Sequence, residues 1–211
     1  MILEPMTTLT DYLLGALAGV LGVRLLRVGA HSSQVTVRLW GMSFLCMAVG
    51  AFVGGTSHGF AGMMSTQTHT ALWKITVWAI GATAALLLAA TAYSCLSASR
   101  RQLLLGVATV QFAIYAIWMW SHDEFIWVIA DYLPAVAIVI GFQFIAWRGG
   151  VAGAGAILLG LHTTLVGAGV QASGLALHEH FNHNDLYHVI QMAATVMLYR
   201  GAVQARDRGG D

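Results

Sequence analysis

The sequence predicts an all-α, polytopic membrane protein of seven transmembrane helices, with the amino terminus outside and the carboxyl terminus in the cytoplasm. Two observations carry this expectation: charged residues are 9 % of the 211 and apolar ones 58 %, and the apolar residues run in long stretches. Such a composition leaves too little polar surface to coat a soluble globule, so a bilayer is the solvent that fits. Gly is abundant at 24 and Pro scarce at 2, which suits close-packed membrane helices. A β-barrel is excluded, because its strands alternate over only about ten residues.

Stretches close to the ~20 residues that a hydrocarbon core demands lie at 11–28, 35–59, 71–96, 102–121, 125–147, 152–175 and 186–203. The connections between them are short, so residues 1–211 read as a single seven-helix domain. Lys and Arg are retained on the cytoplasmic side during insertion. Arg24, Arg27, Arg38, Arg100, Arg101, Arg148, Arg200, Arg206 and Arg208 fall on the face holding the first, third and fifth connections and the tail. Lys74 alone lies opposite, with the acids Glu4, Asp11, Asp123, Glu124, Glu179 and Asp185, and that opposite face is the outer one. The first basic residue, Arg24, follows the first apolar stretch, so no cleavable leader is expected. The Ala, Gly and Leu content and the short loops suggest a bacterial plasma membrane.

A net charge of +1 with no basic run gives no footprint for nucleic acid; the expected partners are membrane lipids. Cys46 and Cys95 sit inside apolar stretches and read as small buried residues. Gly15 with Gly19 and Gly50 with Gly54, at helical spacing, allow close helix packing within the chain or in a homo-oligomer. Trp120, Trp127, Trp147, Tyr187 and Tyr199 lie near helix ends, where amphipathic rings settle at the interface.

Chemistry concentrates at the outer ends. Of the nine histidines, His58, His69, His122, His178, His180, His183 and His188 cluster there, and His31 and His162 do not. His58 closes helix 2 and His188 opens helix 7, at similar depth. Neutral imidazole is the commonest zinc ligand, and a catalytic zinc takes three protein ligands. His183 qualifies as the third only if helix 7 starts after it, because five helical residues turn through about 500°. Asn184 as the cap, with Asp185 in the first turn, would provide that start. Asp185 shares a face with His188 and could ligate, orient the ring, or act as general base. The competing reading is that these histidines are solvated or cap helix ends.

Asp131, about two turns into helix 5 and three residues before Pro134, is an ionisable group at membrane depth, with Lys74 as its expected ion-pair partner. His162, beside Thr163 and Thr164, reads as a hydrogen-bonded bundle residue or a relay group. Gln111, Gln143, Gln171 and Gln191 read as interhelical hydrogen bonders.

Asn184-Asp185-Leu186-Tyr187-His188-Val189 resembles the His-x-x-x-His start of helix 7 in the CREST superfamily of seven-helix proteins, which includes alkaline ceramidases and progestin and adipoQ receptors. His58 matches the helix 2 histidine of that superfamily. The resemblance implies zinc on the helix 2 and helix 7 histidines and hydrolysis of a lipid amide or ester, assisted by a helix 2 serine and a helix 3 aspartate. The sequence departs in three places: Asn184 stands for the first helix 7 histidine, Gly54 for the serine, and Leu72-Trp73-Lys74-Ile75-Thr76 offers no aspartate. His183 stands next to Asn184 and Ser57 next to His58, and Asp185 or Asp131 is the candidate for the missing acid.

The expected function is therefore a zinc-dependent membrane hydrolase of a lipid amide or ester, with His58 and His188 as metal ligands, His183 or Asp185 as the third, and Asp185 and Ser57 as the assisting residues. The alternatives are a receptor or sensor with a structural metal, favoured by the missing helix 3 acid, and a proton or ion carrier using Asp131, Lys74 and His162.

Overall fold

The computed structural model describes residues 2–209, and among them it contains seven α-helices and no strand. They are α1 (Pro5–His31), α2 (Val35–Phe60), α3 (Thr66–Cys95), α4 (Ala98–Ser121), α5 (Phe125–Arg148), α6 (Ala154–Ser173) and α7 (His183–Ala202). The first six are long and apolar enough to cross a membrane, which makes the chain an integral membrane protein. Helix α7 is less apolar because Asp185, His188, Gln191 and Thr195 line its buried face.

Four helices, α1, α3, α4 and α7, start earlier than hydropathy predicts, and at α1, α3 and α7 the chemistry of the helix end sets the boundary. Pro5 occupies the first turn of α1, where its missing N–H is harmless, so α1 begins six residues before the apolar stretch. The Ser65 hydroxyl accepts from Thr68 N at 3.2 Å and opens α3 at Thr66. Helix α7 opens at His183 behind an Asn182 cap.

Helices α1, α2, α3, α5, α6 and α7 close into a ring in that order, and α4 stands outside it against α3. The tightest seam joins α1 to α2. Buried Thr8, Asp11, Gly15, Ala18, Gly22, Leu25 and Gly29 recur at alternating intervals of three and four along one face of α1. A Cβ on Gly22 would lie 3.0 Å from the Gly41 carbonyl, and the reverse is equally true, so the two backbones touch. Gly15 packs on the Phe52 ring, while Gly50 and Gly54 meet Ala79 and Thr76 of α3. A second seam sets Gly160 against Leu198 and Gly201 against Ile157 between α6 and α7. Trp40, Phe44, Leu25 and Leu88 fill the middle.

The chain enters at one end of the bundle, where α1, α3, α5 and α7 all begin, and every arginine lies toward the other end. At the arginine end the tail binds the bundle. The Asp207 carboxylate accepts from Val35 N at 2.8 Å and Thr36 N at 2.7 Å, and Asp207 N donates to Gln34 Oε1 at 2.6 Å. A carboxylate there satisfies free N–H groups of α2 and complements its dipole. Arg208 N donates to Tyr93 O at 2.8 Å, tying the same tail to α3. Replacing Asp207 by Ala should lower the thermal unfolding temperature of the detergent-solubilised protein, at a cost of about 1–2 kcal/mol. Asp207→Asn should recover part of it, and a wild-type midpoint in the Ala variant would show that the tail does not hold α2.

Candidate functional site

At the end opposite the arginines, α1 delivers Asp11 to α7. Asp11 Oδ1 lies 3.2 Å from His188 Nε2, and both side chains are about nine-tenths buried, at 8 % and 10 % exposed. The other ring nitrogen, His188 Nδ1, is 2.9 Å from Thr10 Oγ1. Adjacent residues of α1 thus hold the two edges of one imidazole. The glycines of α2 make room for this approach: a Cβ on Gly55 would come within 2.6 Å of Asp11 Cβ, and one on Gly59 would collide with Thr8 Oγ1.

Proton inventory restricts what this cluster can be. The Thr10 hydroxyl has one proton and three acceptors in reach, Met6 O at 3.0 Å, Thr7 O at 3.1 Å and His188 Nδ1. If Thr10 donates to its own helix, it accepts from His188 Nδ1–H, and a neutral ring then presents the Nε2 lone pair to Asp11. Two acceptors that close require a proton or a metal cation between them. If Thr10 instead donates to Nδ1, Nε2–H donates to Asp11 and no cation is needed.

Two further oxygens point the same way. Asp11 Oδ2 and Asp185 Oδ1 are buried and take no hydrogen bond from the described residues. The two carboxylates are close enough to repel when both are charged. Gln191 Oε1, one turn along α7, is likewise buried and without a donor. Buried acceptors of this kind call for a cation, a proton or water.

Of the candidates read from sequence, His188 and Asp185 share the buried face of α7. His58 is near enough to His188 for charge interaction, but its side chain is 35 % exposed, with Nδ1 4.0 Å from Glu4 Oε1 and its ring edge-on to Trp73. Ser57 is buried in α2. The expected Asn184 cap is corrected: Asn182 caps α7 in a capping box, accepting from Asn184 N at 2.8 Å and Asp185 N at 3.3 Å, and Asp185 Oδ2 accepts from Asn182 N at 2.8 Å. His183 is therefore already helical and points roughly 140° away from His188. Asn184 accepts from Gln171 Nε2 at 3.1 Å, on the α6 side. Among the described residues, no three His, Cys, Asp or Glu side chains close on a common point.

The expected Lys74–Asp131 pair is also corrected. Lys74 Nζ donates to the carbonyls of Met119 and His122, at 2.5 and 2.9 Å, and pairs with Asp123 Oδ1 at 2.7 Å. It caps the negative end of the α4 dipole, which offers it several oxygens at once. Asp131 instead takes Gln111 Nε2, at 3.1 Å, on both its carbonyl and its carboxylate. His162 Nδ1 lies 2.7 Å from Leu158 O, one turn back in α6. The proposed relay of Asp131, Lys74 and His162 is thus divided among three separate partners.

Asp11 and Thr10 are the site residues that sequence reading passed over. Asp11 was counted only as an acid of the outer face. With α1 beginning at Pro5, it lies nearly two turns inside a membrane helix, and the rule applied to Asp131 applies to it equally.

The chain belongs to a family of unknown function, DUF6962, matching it over residues 6–207. No curated protein and no solved structure matches it.

Thr10→Val, which keeps the shape of the side chain and removes the hydroxyl, should destabilise the protein by about 1–3 kcal/mol by stripping a partner from a buried ring nitrogen. Thr10→Ser should restore it. Equal unfolding midpoints for wild type and Thr10→Val would show that the hydroxyl does not hold the ring.

Proposed function

We propose that the chain crosses a bacterial plasma membrane seven times, with the arginine end cytoplasmic, and that the cluster at its outer end binds zinc and hydrolyses a lipid amide or ester. What supports the seventh crossing is the place of α7 in the ring, between α1 and α6, and its 20-residue length. The arginine asymmetry supports the orientation.

The observation that carries the metal reading is the His188–Asp11 contact. Its 3.2 Å separation is near the roughly 3.3 Å between neighbouring ligands on a tetrahedral zinc with bonds of about 2.0–2.1 Å. The orphaned oxygens of Asp11 and Asp185 are anionic donors in want of a cation. His188 and Asp11 would hold the metal, with His58 or Asp185 as third ligand. Zinc bound there would supply a Lewis acid and activate water near neutral pH. The chain itself does the rest: Thr10 fixes the ring edge and tautomer of His188 from behind, as an outer partner does for a metal-bound histidine. The Asn182 capping box fixes Asp185, leaving one of its oxygens free inside the bundle. Asp11, from α1, supplies the acid that the opening of helix 3 lacks.

A second reading keeps the same residues and replaces the metal by a proton shared between His188 and Asp11. It is favoured by the lack of a third converging ligand among the described residues. It also accords with the buried polar file Asp185, His188, Gln191 and Thr195 along α7.

Elemental analysis of protein purified without chelator separates the two. About one zinc per chain, lost in His188→Ala and in Asp11→Asn, is the expected result. Release of long-chain acid from an amide- or ester-linked lipid by the zinc-loaded protein would then establish a hydrolase, whereas bound zinc with no turnover would establish a sensor with a structural metal. A folded wild type free of metal would overturn the zinc reading in favour of the proton.

A further inference from the structure

Inside the ring, toward its arginine end, three uncharged polar groups lie at one level: Trp40 Nε1 on α2, Thr91 Oγ1 on α3 and Gln143 Nε2 on α5. None has a hydrogen-bond partner among the described residues, and the three residues are 0 %, 0 % and 2 % exposed. Thr83 and Thr195 return their hydroxyls to their own helices, to Ala79 O at 2.9 Å and Gln191 O at 2.7 Å, whereas Thr91 does not. The helix registers bring the three groups together. Helices α3 and α5 run parallel, with the rings of Trp73 and Phe125 6.3 Å apart near their starts. Thr91 follows Trp73 by eighteen residues and Gln143 follows Phe125 by the same eighteen, about five whole turns, so both return to the facing sides at one level. Across the α2–α3 seam Thr36 Oγ1 donates to Ala90 O at 2.9 Å, beside Thr91. Trp40 is one turn on from Thr36, and helical side chains lean toward the N-terminus of their helix, so its indole leans back to that level. Leu87, Leu88, Val136 and Val139, on the same faces as Thr91 and Gln143, share one packed core with Trp40.

We propose that Trp40, Thr91 and Gln143 form a binding site for an ordered water that bridges α2, α3 and α5 inside the ring. The donor inventory selects this occupant. An indole N–H and an amide N–H can only donate, so the occupant accepts twice, and the Thr91 hydroxyl can take a proton back. One water has two lone pairs and two protons, and a buried water typically makes about three such bonds. A halide would accept from all three groups, but they carry no charge, and a bare anion closed off from solvent is costly without a counter-charge. A lipid carbonyl has no way to groups this deeply buried. The tail shuts the site at its arginine end, since Asp207 accepts from Thr36 N at 2.7 Å and Arg208 N donates to Tyr93 O at 2.8 Å. The water therefore links α2 and α5, each of which packs on α3, and leaves the arginine half of the ring with a polar site of its own. The proposal is independent of the zinc reading, because it uses none of the residues of the outer cluster.

The test is NMR of the ¹⁵N-labelled, detergent-solubilised full chain, with the Trp40 indole signal assigned by its loss in Trp40→Phe. The Trp40 indole proton should show a cross-peak at the water frequency whose sign reverses between NOE and ROE spectra, which marks a bound water rather than proton exchange. The cross-peak should persist in Thr91→Val, where two partners remain and no hydroxyl can relay exchange to the same frequency. It should vanish in the double variant Thr91→Val/Gln143→Met, which leaves the indole alone. That variant should also unfold at a lower temperature than wild type, because it strips bonds from a buried water, whereas deleting unpartnered groups from a dry interior raises the midpoint. No cross-peak in wild type, its loss already in Thr91→Val, its survival in the double variant, or a raised midpoint would each overturn the proposal.

Discussion

The rest of the site depends on how closely α1 approaches α2. Gly22 and Gly41 let the two backbones touch, and Gly55 and Gly59 let Asp11 and Thr8 lie flat against α2. In a bilayer, lipid tails solvate an apolar helix as well as a neighbouring helix does, so association relies on van der Waals packing of small residues and on interhelical hydrogen bonds. A single Cβ at Gly55 would have to displace the carbon that carries the Asp11 carboxylate. The distance from α1 to α7 across the His188 ring is thus governed by glycines on a third helix that bears neither group.

Hydropathy alone reads out the all-helical, membrane-embedded class, because every long apolar stretch becomes a helix. It misreads the starts of α1, α3 and α7, since Pro5, Ser65 and Asn182 set them through capping chemistry that carries no apolar signal. His188 and Asp185 are visible as a pair because they are local, three residues apart on one helix. Their partners are not: Thr10 and His188 stand 178 positions apart, and no local pattern encodes that contact. The misplacement of His183 follows from the same cause, for a two-residue shift of the cap, from Asn184 to Asn182, decides whether it lies on the loop or on the helix.

The two carboxylates within the membrane helices show how context divides residues that a sequence treats alike. Asp131 has a glutamine directly across from it on α4, which satisfies one oxygen without a charge. Lys74 was the obvious counter-ion, but its long stem reaches the last carbonyls of α4 and the Asp123 carboxylate, where it can satisfy several oxygens and remain near water. Among the described residues Asp11 has no cationic side chain at hand other than an imidazole, and one of its oxygens is without a donor. The carboxylate with the poorer provision is the one beside a second buried carboxylate, and that imbalance distinguishes a site from a packing detail.

Asp185 performs two tasks at once. Its Oδ2 closes the capping box with Asn182, which pins the start of α7, and the same bond orients the carboxylate so that Oδ1 stays inside the bundle, without a donor among the described residues. The residue before it, Asn184, stands where the resembled pattern has a histidine, and Gln171 of α6 holds it away on another face. Helix α7 therefore presents one histidine and one carboxylate inward where two histidines would have stood. Any cation held there must draw its remaining ligands from neighbouring helices, and α1 is the helix that the glycine seam brings within reach.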